Sequence, residues 1–188
     1  MHSTPSLASL LDAWRTQSPT QRATWLATLS PDEATSLTYA WRLWARPEQL
    51  SPPGSWSTWV VLAGRGWGKT RVGCEFIRQE VTAGRMGRVA IVGRTAADVR
   101  DVLVEGESGL LAIHPKRERP VWVASRRRLR WPNGAIATTY SAEEPDQLRG
   151  PQHDGALADE VAAWQHPEAY DQLRFGLRIG RRPRVVVT

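Results

Sequence analysis

Residues 63–70 read Ala-Gly-Arg-Gly-Trp-Gly-Lys-Thr, and this octamer constrains the chain more than any other feature. Glycines at 64, 66 and 68 open backbone conformations closed to other residues, so the loop can turn its N–H groups inward around an anion. The lysine is conspicuous, because Lys69 and Lys116 are the only lysines in a chain with 25 basic residues. Before the loop, residues 56–62 are aromatic and β-branched and read as a strand. After it, from Lys69 to about Thr82, Val72, Phe76, Ile77 and Val81 recur at helical spacing, and Gly84 ends the run. A glycine-rich loop between a strand and a helix delivers phosphate to the helix N-terminus. Gly64, Gly66, Trp67 and Gly68 would cradle a nucleotide, Lys69 would reach its β- and γ-phosphates, and the Thr70 hydroxyl would serve Mg2+. A glycine-rich turn with an incidental lysine is the competing reading of the octamer alone.

The residues around the loop point to a parallel α/β core. Arg88 to Gly93 contains the buried-type run Val89-Ala90-Ile91-Val92, and Thr95 opens a helix expected to reach about Val104. A β-α-β-α order implies a parallel sheet with helices on its faces. Residues 128–131 and 135–140 flank Pro132-Asn133-Gly134, a strong hairpin signal. Gly155 to Ala158 reads as a short buried strand, residues 161–173 as a helix, and residues 184–188 as a last strand. Before all of these, apolar residues recur at helical spacing, first at Leu7, Leu10, Leu11 and Trp14 and later at Trp41 and Trp44. Ser18-Pro19 and Ser30-Pro31 provide caps and first-turn prolines. The expected division is a helical segment over 1–46 and a nucleotide-binding core over 47–188.

A second chemical signal follows the strand at 155–158, in Leu157-Ala158-Asp159-Glu160. A strand end can deliver Asp159 to a metal and Glu160 to an attacking water, the adjacent positions serving metal ligation and general base. The pair also fits a helix N-terminus, where acids complement the dipole. Combined with the loop, it specifies a nucleoside triphosphatase far better than either part alone. Arg65, inside the loop, is placed to offset charge developing on the γ-phosphate, or else to face solvent beside a carboxylate.

Composition removes other classes. A hydrophobic share of 41% and ten tryptophans suit a packed core rather than a disordered chain. With Cys74 as the single cysteine there is no intrachain disulfide, and the four histidines complete no four-ligand zinc cluster. No apolar run approaches the roughly 20 residues of a membrane span, and no secretory leader is evident. The net charge of +6, almost all arginine, suits phosphate contact but also fits a biased base composition. Arg126, Arg127, Arg128 and Arg130 with Trp131 read either as a DNA path or as the charged guard of a hairpin edge.

Several stretches in order resemble the large terminase subunit of tailed bacteriophages. They are Trp41-Arg-Leu-Trp-Ala-Arg-Pro47-Glu-Gln49, Trp56-Ser-Thr-Trp59, the loop 63–70, Leu129-Arg-Trp-Pro-Asn-Gly134, Leu148-Arg149-Gly150 and Ala158-Asp159-Glu160. The resemblance implies a P-loop NTPase of the additional-strand, catalytic-glutamate type, with a mainly parallel sheet, a helical N-terminal segment and one hairpin. It implies that Gln49 recognises adenine with Trp41 packing nearby. Lys69, Thr70, Asp159 and Glu160 fall at phosphate, magnesium and catalytic positions and Arg65 at the loop's arginine. Arg149, just before the strand at 155–158, reads separately as a sensor of nucleotide in its own or a neighbouring subunit. Residues 185–188 lead into the family's coupling motif, of which Thr188 supplies the first threonine. By the same resemblance the chain hydrolyses ATP with Mg2+ to move double-stranded DNA into a procapsid, in the host cytoplasm. Its implied partners are the portal protein and the small terminase subunit, in a homo-oligomeric ring when assembled, with the isolated chain able to stand as a monomer. No nuclease activity is expected, since no second acidic cluster is left over. The competing functions are another DNA-stimulated helicase or translocase, and a non-catalytic basic DNA-binding or assembly module with a vestigial loop.

Overall fold

The computed structural model describes Trp14 and residues 16–188, so the expected contacts of Leu7, Leu10 and Leu11 lie outside the described residues. One compact unit runs to Arg46 and a second spans Pro47–Thr188.

In the first unit the helices are α1 (Pro19–Ala27), α2 (Pro31–Thr38) and α3 (Trp41–Trp44). Ser18 and Ser30 each accept from the backbone N–H three residues on, while Gln21 and Glu33 reach back to the cap N–H groups. These are reciprocal capping boxes with proline in the first turn.

The second unit is built on a seven-stranded sheet. Its strands are β1 (Thr58–Val60), β2 (Arg88–Gly93), β3 (Val121–Val123), β4 (Arg128–Arg130), β5 (Ile136–Ser141), β6 (Gly155–Ala158) and β7 (Arg184–Val187), in the spatial order β1-β7-β6-β2-β5-β4-β3. From β1 to β5 across that order the pairing is parallel, and β5-β4-β3 closes the far side as an antiparallel meander. The strand after the loop, β2, does not pair with β1. β7 and β6 lie between them, and β7 is the additional strand separating the loop strand from the strand that carries Asp159.

Helix α4 (Lys69–Thr82) follows the loop and ends where Gly84 takes φ +68°. It packs so closely on β6 that a Cβ at Gly73 would stand 2.4 Å from Leu157 Cδ1. Glu75 is fully buried on this helix, yet Arg71 and Arg78 pair with its two oxygens at 2.8 and 2.7 Å. The other face of the sheet carries a core of Ala90, Val92, Ala156, Ala158, Val185 and Val187 against Trp164, Ala169 and Leu173.

Three expected elements differ. The helix over 95–104 forms as a short α-helical turn, Ala96–Asp98, that widens into a π-helical segment, Val99–Val104 (together α5). The helix expected over 161–173 is broken: Val161–Ala163 makes one 3-10 turn, and α6 spans Glu168–Gly176. Pro167 is the cause, since it lacks a donor and pushes the preceding residue out of the helical region. The hairpin acquires a third strand, β3, so β4 is paired on both sides.

Candidate nucleotide-binding site

Five parallel strands end on one side of the sheet, the side on which α/β proteins bind their ligands, and four of them lead into the site. β1 runs into the loop at 63–68, β2 into Arg94, β6 into Asp159-Glu160 and β7 into Thr188. The loop takes the shape its glycines permit, with φ +74° at Gly66 and +92° at Gly68, where α4 begins without a side-chain cap. The first N–H groups of α4 are therefore open to an anion.

Gly64, Arg65, Gly66, Gly68, Lys69 and Thr70 line one side of an open pocket of about 680 Å³, with Asp159 and Glu160 on another. The loop and the acidic pair thus share one cavity. Lys69 curls over its own loop, its Nζ donating to Ala63 O at 3.0 Å and Gly64 O at 3.4 Å. Arg65 is exposed at the rim.

Asp159 is almost buried, at 8% exposure. Burial pushes its carboxyl above the usual carboxylate value, opposed by the Thr188 hydrogen bond and by Lys69 and Thr70, while Glu160 pushes the same way as burial. A carboxylate so placed is the kind a cation relieves, and hydroxyl and carboxylate oxygens are the donors a magnesium ion takes together with phosphate and water. Thr70 and Asp159 therefore fit that ion.

Glu160 has φ +53° and ψ +44°, a left-handed conformation unusual for a residue with a side chain. Thr188 holds it there. Thr188 Oγ1 donates to Asp159 Oδ1 at 2.7 Å and accepts from the Glu160 N–H at 3.0 Å. Its carbonyl accepts from Val161 N–H at 3.0 Å, and its N–H donates to Ala158 O at 3.0 Å. Trp164 Nε1 adds a bond to the Asp159 carbonyl at 2.9 Å.

The remaining expected residues are placed less uniformly. Gln49, 6% exposed, donates from Nε2 to Trp67 O at 2.9 Å and so braces the back of the loop. Trp67 and Gln49 stand outside the pocket walls just described. Trp41 belongs to the first unit, buried at the head of α3. Arg149 pairs with Asp146 at 3.2 Å on the surface and does not line the pocket. The far wall, from Asp101, Val102, Gly106, Glu107 and Ser108, was missed from the sequence. These residues lie in and just after the π-helical segment of α5, and no spacing rule signals that segment. Arg94, paired with Asp98 at 3.0 Å, also lies within electrostatic reach of Glu160.

A family model described as terminase large subunit, T4likevirus-type, N-terminal, matches residues 60–188. The chain belongs to the large terminase family. The match starts inside β1 and covers the loop, Asp159-Glu160 and Thr188. Among solved structures, the large terminase ATPase domain of Thermus phage P74-26 aligns with a TM-score of 0.52 at 18% identity, over 70% of this chain and 58% of that one. The large terminase from a second, thermophilic bacteriophage, in complex with ADP, aligns at 0.55 and 17%, over 81% of this chain and 37% of that one. The same thermophilic phage protein in complex with ATP-gamma-S aligns at 0.53 and 14%, over 81% of this chain and 36% of that one. At these identities the likeness establishes a shared fold, the P-loop ATPase fold of terminases. This chain spans little more than half of the P74-26 domain and about a third of the thermophilic phage terminase. No curated protein sequence matches it.

Proposed function

We propose that this terminase domain hydrolyses ATP with Mg2+ and that the hydrolysis drives double-stranded DNA into a viral procapsid. The observation that carries the proposal is the meeting of the glycine loop and the Asp159-Glu160 pair in one pocket. The structures of the thermophilic phage terminase with ADP and with ATP-gamma-S support the nucleotide.

In this reading Lys69 exchanges the Ala63 and Gly64 carbonyls for the β- and γ-phosphates, and the loop N–H groups hold the remaining oxygens. Thr70 and Asp159 would hold a magnesium ion, which would supply positive charge to offset that of the phosphates. Glu160 takes the proton of the attacking water as its oxygen joins the γ-phosphorus. The bond from that phosphorus to the β-phosphate oxygen breaks, leaving ADP and phosphate. Arg65 offsets the charge on the equatorial oxygens. Gln49, which fixes the loop from behind, is assigned to the adenine side and Arg149 to nucleotide sensing. The portal protein, the small terminase subunit, a homo-oligomeric ring and the host cytoplasm as workplace belong to the same proposal. Among the described residues no helix is long and apolar enough to cross a membrane.

Phosphate release from Mg2+-ATP by the chain tests the reading. Glu160→Gln should lower turnover by roughly 10²- to 10⁴-fold, the span a positioned general base contributes. Equal turnover in the two proteins would remove Glu160 from the mechanism.

A further inference from the structure

Arg126, Arg128 and Arg130 sit on or beside β4, and the sequence alone favours reading them as guards of a hairpin edge. The sheet removes that explanation. β4 is bonded to β5 on one side and to β3 on the other, so it has no edge to guard, and the edge strand is Val121-Trp122-Val123.

Burial alternates along the two strands. Leu129, Ala137 and Thr139 are buried, while Arg128 and Arg130 are exposed and Ile136 and Thr138 half-buried. Register puts Arg88 opposite Ile136 and Ile136 opposite Arg130. Arg88 and Arg130 therefore flank Ile136, about 10 Å apart across the strands, and Arg128 lies about 7 Å from Arg130 along its own. Two adjoining concavities share Arg128 and Ile136. One, of about 440 Å³, includes Arg88, Thr138 and Gln152, and the other, of about 520 Å³, includes Arg126 and Arg130.

No carboxylate lines either concavity. Several arginines elsewhere are matched: Arg71 and Arg78 with Glu75, Arg85 and Arg184 with Glu80, Arg94 with Asp98. Among the described residues Arg88, Arg126, Arg128 and Arg130 form no ion pair. The Asp154 carboxylate, beside the Arg88 backbone, accepts from the backbone N–H groups of Gly87 and Arg88. Like charges gathered without counter-charge raise the energy of the bare protein and are relieved by a polyanion.

We propose that this arginine-bearing sheet face, around Arg88, Arg126, Arg128 and Arg130, holds the phosphate backbone of double-stranded DNA. The proposal rests on the reading of DNA as the transported polymer. Single-strand binding is disfavoured because it uses exposed aromatic platforms, and the aromatic rings lining these concavities, Tyr140 and His153, are only 7% and 5% exposed. The contact is with phosphates, so it carries no base preference, as a translocating surface requires.

The test uses the 188-residue chain and a mixed-sequence DNA duplex at low salt, with binding followed by fluorescence anisotropy. Arg128→Gln/Arg130→Gln should weaken binding roughly tenfold or more and flatten the salt dependence by about one per arginine removed. A control removing equal charge elsewhere, Arg117→Gln/Arg181→Gln, should change affinity by much less. Basal Mg2+-ATP turnover should be the same in all three, and unchanged circular dichroism keeps a folding defect apart. If the unmodified chain binds duplex and the β4 variant binds equally well, the face is wrong and the DNA reading stands. If the unmodified chain turns over ATP yet binds no duplex, both the face and the DNA reading fall. A shift to tighter binding of a single strand, lost with the same arginines, would overturn the duplex assignment.

Discussion

Thr188 ties together the two acids, Asp159 and Glu160, to which the proposed chemistry assigns the metal and the water. Its hydroxyl donates a hydrogen bond to Asp159 Oδ1 and accepts one from the Glu160 N–H, bracing the left-handed backbone at Glu160. Thr188→Val keeps the volume and removes both bonds, leaving a buried carboxylate oxygen and an amide without their partner. Turnover should fall with little change in nucleotide affinity, and Thr188→Ser should restore most of it, as read from kcat against KM. A kcat unchanged in Thr188→Val would show that Asp159 and Glu160 are set by other contacts. Arg65→Ala should likewise lower kcat more than it weakens binding, whereas a pure loss of affinity would make Arg65 a ground-state phosphate ligand. Single residues with a strong local pattern were legible: the loop announces itself by its glycines, and Asp159-Glu160 by following an apolar strand. Thr188 was recognised only as part of a family motif, because its partners are 28 and 29 positions away and only the pairing of β6 with β7 joins them.

At the scale of elements, the site depends on how α4 lies on β6, because one carries Lys69 and Thr70 and the other leads to Asp159. Gly73 allows that approach, with Leu157 filling the space a methyl group would take. Gly73→Ala should cost about 1–3 kcal/mol through overpacking. A drop in the thermal midpoint accompanied by weaker nucleotide binding would show α4 moving off β6. A midpoint at or above that of the unmodified protein would mean Leu157 has room to turn aside. Helical spacing made α4 readable in advance, and continuous apolar runs made β2 and β6 readable, since both faces of those strands are buried. The break at Pro167 carries a sequence signal in the proline itself, yet the run 161–173 reads as one helix by its apolar spacing. β3 has only three residues and no alternation, and α5 widens only over Val99–Val104. Neither leaves a local trace.

Across the whole molecule, two buried histidines set an acid limit. Trp131 Nε1 donates to His114 Nε2 at 2.9 Å, so His114 Nδ1 carries the proton that bonds Leu110 O at 2.6 Å. Burial pulls His114 from 6.5 down to about 4, and does the same to His153 beside Tyr140. Both rings are neutral in the folded chain. Their stabilising contribution is fully present above pH 6.5 and is lost as the pH falls from there toward 4, where the unfolded chain binds protons that the folded one refuses. Urea midpoints should therefore decline through that window, and His114→Asn should flatten the decline even if it lowers stability at neutral pH. A midpoint independent of pH between 6.5 and 4 would mean that the rings are reached by water.

The central claim, that this fold is an ATP-binding catalytic unit, is tested most directly by equilibrium titration of ATP with and without Mg2+. The unmodified chain should bind ATP in a Mg2+-dependent way, Glu160→Gln should bind it equally well, and Lys69→Ala should lose it. Absence of Mg2+-dependent binding in the unmodified, folded chain, or full binding in Lys69→Ala, would contradict the account.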